Sequence, residues 1–122
     1  MITVPNSKDL CDFNLGDYMV PTYKETRGYM YVVFDSIFPD YIKVGRTIDC
    51  KKRLQGYNSD KPYPTAKMLY VSKLFDNVND VERKILEYLY DNTSPTTLSK
   101  EWFQFEHKQL IIDILEKAEQ EF

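Results

Sequence analysis

The chain has 122 residues, 43% hydrophobic and 29% charged, which suits one soluble domain with a modest core. Its formal net charge of -3 excludes strong nonspecific attraction of the whole chain to nucleic acid, although Lys43, Arg46, Lys51, Lys52 and Arg53 form a local basic cluster. Two distant cysteines, Cys11 and Cys50, exclude a disulfide framework or zinc site, and no apolar run is long enough for a membrane, so a reduced, soluble, intracellular protein is expected.

Residues 1–26 lack clear periodicity and read as an N-terminal arm, with residues 27–122 as the domain. Ser7 is placed to cap one turn through Lys8 to Phe13. Such an arm either packs on the domain, stays partly loose or touches a partner.

Tyr29–Asp35 is rich in Tyr, Val and Phe and reads as a strand. Alternation puts Tyr29, Tyr31 and Val33 on one face and Met30, Val32 and Phe34 on the other. Ser36–Asp40 supplies the connection to a second strand, Tyr41–Arg46. There Tyr41, Lys43 and Gly45 oppose Ile42 and Val44. Paired as a hairpin, one face would gather tyrosines, a lysine and a glycine. That is unusual decoration for a core.

Asp49 or Thr47 can cap a helix over about residues 50–57, with Cys50, Leu54 and Tyr57 on its apolar stripe. Asn58 to Pro64 is a loop by composition. Lys67–Phe75 reads as a third strand buried on both faces. Asn77 caps a helix to about Tyr90, Asp91–Ser99 is a second loop, and Glu101–Phe105 is a short strand or turn. The last helix runs from Glu106 to about Glu119, amphipathic through Leu110, Ile111, Ile114, Leu115 and Ala118. This order, β-β-α-β-α-(β)-α, describes an α+β domain with a small, mainly antiparallel three-stranded sheet flanked by helices.

One residue is out of place. Val78, Val81, Ile85, Leu86 and Leu89 define an apolar helical arc, and Glu82 falls inside it. A carboxylate there is costly unless paired, hydrogen-bonded or bound to metal, so it either binds something or bends from the edge of the arc to solvent or a cation. Arg53 flanks its own helix's stripe and, with Lys51 and Lys52, is suited either to solvent or to phosphate. Lys43 lies on the tyrosine face, where a charge also discourages edge-strand aggregation. His107, the sole histidine, has no partner for a triad or metal site, and serine-nucleophile, P-loop and dinucleotide signatures are absent.

Over about residues 28–105 this set resembles the GIY-YIG endonuclease superfamily, in the small phage and large-DNA-virus branch with KIG as its second tripeptide. The first tripeptide matches Tyr29, Met30 and Tyr31, and the second matches Lys43, Val44 and Gly45. The helix arginine falls on Arg53, the metal-binding glutamate on Glu82, and the closing Glu-Trp-Phe on Glu101, Trp102 and Phe103. The resemblance implies a metal-dependent endonuclease with Mg²⁺ or Mn²⁺ on Glu82, Tyr31 activating water, and Arg53 and Lys43 stabilising phosphate charge. Arg46, Lys51 and Lys52 would contact nucleic acid. DNA is implied in preference to RNA, with a homodimer or targeting partner choosing the target, in the cytoplasm or nucleus of an infected host if the protein is viral. Lysine in place of the second tyrosine keeps an alternative open, a catalytically weak nucleic-acid-binding module on the same scaffold.

Overall fold

The computed structural model describes residues 15–21, 26–93 and 101–122. The expected turn after Ser7, Cys11 and most of the second loop lie outside these residues. Four strands form one antiparallel sheet: β1 (Tyr29–Asp35), β2 (Tyr41–Thr47), β3 (Ala66–Val71) and β4 (Trp102–Gln104), in the order β3-β1-β2-β4. Three helices flank it: α1 (Cys50–Asn58), α2 (Val78–Asn92) and α3 (Lys108–Glu121). The α+β class and element order are those expected. The sheet has four strands instead of three, because the bracketed Glu101–Phe105 segment pairs with β2.

The two faces of β1 divide as alternation requires. Met30 and Val32 join Ile42 and Val44 of β2 under Val81, Ile85 and Leu89 of α2 and Ile111 and Leu115 of α3. Tyr29, Tyr31 and Val33 pack with Cys50 and Leu54 of α1 and with Leu15 from a turn of 3-10 helix in the arm. The sheet is therefore buried on both sides between α2 with α3 and α1 with the arm. Tyr18 adds an edge-on ring contact to Tyr29, at 5.1 Å, and the Tyr29 hydroxyl donates to the Met19 carbonyl at 3.0 Å.

Asp49 caps α1 by accepting from the Lys52 N–H at 3.0 Å, and Thr47 instead holds the Asp49 backbone. Asn77 caps α2 in the same way through the Asp80 N–H. β3 departs from simple alternation. Val32 pairs with Tyr70 and Val33 with Met68, so Leu69 bulges out of the ladder. Met68 and Val71 consequently face the α1 side, while Leu69 and Tyr70 face α2 and α3. β3 also ends at Val71, short of the expected Phe75, which meets Gly28 in an isolated bridge.

At the other edge Phe103 is fully buried and stacks on Tyr90 of α2, with centroids 6.2 Å apart. No helix among the described residues is long and apolar enough to cross a membrane. Phe103→Ala should cost about 3–5 kcal/mol, read from urea unfolding. A loss below about 1 kcal/mol would show that β4 is not anchored in the core.

Candidate functional site

The length of β4 decides where a site can form. It pairs with Tyr41, Ile42 and Lys43 of β2, and the Val44 N–H reaches the Glu101 carbonyl at 3.0 Å. Beyond that point no described strand pairs with this edge of β2, and side chains from both faces of the sheet meet around it. Gly45 and Arg46 occupy this edge.

Tyr31 on β1 pairs directly with Gly45. A Cβ on Gly45 would sit 2.5 Å from the Tyr31 hydroxyl oxygen. Only glycine lets the phenol extend across β2. There its hydroxyl lies 2.7 Å from the Tyr57 hydroxyl and accepts from Arg53 Nη1 at 3.3 Å. Arg53 and Tyr57 both project from α1, four residues apart and so on one helical face. The Arg53 guanidinium also lies 6.0 Å from the centre of the Tyr31 ring.

From the opposite face comes Glu82 of α2. Arg46 points to that side, as alternation with Gly45 demands, and its Nε donates to Glu82 Oε1 at 3.1 Å. The glutamate of the apolar arc is thus paired, with its side chain only 17% exposed. Burial raises its carboxyl above the usual range, Arg46 opposes the rise, and nearby Glu101 adds to it.

Tyr31, Gly45, Arg46, Arg53, Glu82 and Glu101 line one cavity of about 180 Å³. Four of the residues singled out in the sequence therefore meet, carried by β1, β2, α1 and α2. Lys43 stands beside them: its Nζ is 3.5 Å from Glu101 and 5.3 Å from the centre of the Tyr57 ring. It lines an adjoining cavity together with Lys52 and Arg53. Lys51 is exposed and lines neither cavity.

Two residues of the constellation were not singled out. Tyr57 had been placed only on the apolar stripe of its helix, where four-residue spacing from Arg53 was the available signal. Glu101 appeared only within its tripeptide. Among the described residues no group of three His, Cys, Asp or Glu side chains could cage a metal. One half-buried carboxylate facing a cavity does fit a magnesium-sized ion, which keeps most of its water and takes one or two carboxylates plus phosphate oxygens.

Burial pushes the Tyr31 phenol far above the ordinary tyrosine value; the Tyr57 hydroxyl adds to this and the Arg53 guanidinium opposes it. Against this frame, a sequence model described as the T5orf172 domain matches residues 28–118. No curated protein and no solved structure matches the chain.

The pH dependence of stability follows from Tyr31. In the unfolded chain the phenol ionises near about pH 10, and in the fold only at higher pH, so its stabilising share is intact below that value and lost above it. Tyr31→Phe should flatten the alkaline fall of unfolding free energy above about pH 10. It should not abolish the fall, because Tyr29, Tyr70 and Tyr90 are also raised. An unchanged slope in urea titrations would mean that the phenol is exposed to water.

Proposed function

The chain belongs to the T5orf172 domain family, a phage-associated and nuclease-related group, and from that premise we propose that it is a metal-dependent endonuclease of the GIY-YIG type acting on DNA. The observation that carries this reading is the convergence of Tyr31, Arg46, Arg53 and Glu82 on one small cavity from four separate elements. A purely structural need would be met by any one of these pairs.

Glu82 would hold Mg²⁺ or Mn²⁺, which supplies Lewis-acid stabilisation of phosphate charge and makes water more acidic. Tyr31, fixed by Tyr57 and Arg53, positions the attacking water through its hydroxyl oxygen. Its burial keeps it a neutral phenol, so it orients the water by accepting a hydrogen bond, and the proton that the water loses as the new P–O bond forms passes to solvent. Arg53, which donates to the phenol oxygen, holds it in place for that role. Its planar guanidinium also faces the phosphate oxygens on which charge accumulates. Lys43, held by Glu101, is placed to steady the leaving oxygen. Arg46 keeps the Glu82 carboxylate oriented, and Arg46, Lys51 and Lys52 contact flanking phosphates.

The alternative, a nucleic-acid-binding module with weak catalysis, has its own support. The Arg46–Glu82 ion pair competes with any cation for the carboxylate. It predicts binding that weakens with rising salt and no cleavage with any divalent ion.

The test is Mg²⁺-dependent or Mn²⁺-dependent cleavage of plasmid and branched DNA. Arg53→Ala should lower kcat about 10²–10³-fold, Glu82→Ala should abolish the metal response, and EDTA should stop the wild type. Undiminished metal-dependent cleavage by Glu82→Ala would sink the mechanism.

A further inference from the structure

Next to the small cavity, and sharing Arg53 with it, lies a larger one of about 540 Å³. Its walls are mixed. Lys43, Lys52 and Arg53 supply cationic groups, Val20, Ile48 and the Tyr57 side chain supply apolar ones, and Asp49 adds one carboxylate, engaged by the Lys52 N–H as the α1 cap. Val20 comes from the arm and is 54% exposed, so it contributes to this wall and little to the core. The α1 wall is lowered by Gly56, where a Cβ would have nothing within 4 Å. Gly56 has no turn or close approach to serve, and in a helix it costs about 0.5–1 kcal/mol relative to alanine.

Duplex DNA presents phosphates on a convex surface, and exposed cations meet them without any chamber. A concave space with apolar walls and three cations against one capping carboxylate suits an unstacked base with its phosphate beside it. The volume is within the range of small-molecule sites. We propose that this cavity binds an unpaired DNA nucleotide adjoining the scissile phosphate, so that the substrate class is DNA with a single-stranded flap, gap or branch at the cut. The proposal rests on the nuclease reading for the position of the scissile phosphate. Its binding step does not need metal or cleavage.

The test is therefore run in EDTA with the full chain. A labelled oligothymidylate and a hairpin duplex of equal length are compared by fluorescence anisotropy. The single strand should bind at least about tenfold more tightly. Gly56→Trp fills the cavity from an open helical position and should erase that preference. Gly56→Ala should keep it, and both variants should melt no lower than the wild type. Equal binding of the two probes, or an undiminished preference in a folded Gly56→Trp, overturns the inference. Cleavage assays separate the two failures. A wild type that cuts duplex well and shows no single-strand preference rejects only the subsite. Strand-selective binding without any metal-dependent cleavage rejects only the nuclease.

Discussion

The arrangement depends on one contact, the passage of the Tyr31 phenol over Gly45. Antiparallel pairing sets the two residues directly opposite, where side chains approach most closely across a ladder. With no Cβ in the way, the ring lies across β2 and its hydroxyl reaches α1. Tyr57 and Arg53 then anchor the helix to the sheet through a polar contact inside an otherwise apolar layer. A buried hydroxyl must be satisfied to be tolerated. Here its partners also fix the orientation of α1, and with it the direction in which the basic residues of that helix point.

The site's charges are compensated in pairs. Glu82 meets Arg46, and Glu101 meets Lys43. Arg53 donates to the Tyr31 phenol, and among the described residues no salt bridge joins it to a carboxylate. An anion entering the cavity would thus meet this guanidinium first, while the pairs on either side hold the walls in place. The modest negative charge of the whole chain does not describe the local field, in which Arg53 shares its cavity with the paired Glu82 and Glu101.

Much of this was legible in the residues because it depends on short-range periodicity. The two faces of β1 and β2 follow from alternation, the α1 cap from Asp49, and the anomaly of Glu82 from its angle on an apolar helix. What escaped depends on distant pairing. The bulge at Leu69 arises from register against β1 and leaves no local mark, so strict alternation misassigns Tyr70. β4 has only three residues, too few for a period to declare itself, and its place in the sheet comes from Phe103 burying against Tyr90. The Arg46–Glu82 pair joins residues 36 positions apart. Tyr57 looked like one more packed aromatic because its hydroxyl partner lies on another element.

The shortness of β4 has a consequence for the order in which the molecule is completed. Tyr31, Lys43, Arg53 and Tyr57 belong to a contiguous β1–β2–α1 unit whose closest pairing is a hairpin, the kind of local contact that forms early. Glu82 and Glu101 arrive later in the chain, and Glu101 reaches Lys43 only when the last strand docks. During synthesis the cationic side of the cavity is therefore in hand before its carboxylates exist. The cationic half of the cavity thus precedes its acidic half along the chain, and the two meet only through pairings made late.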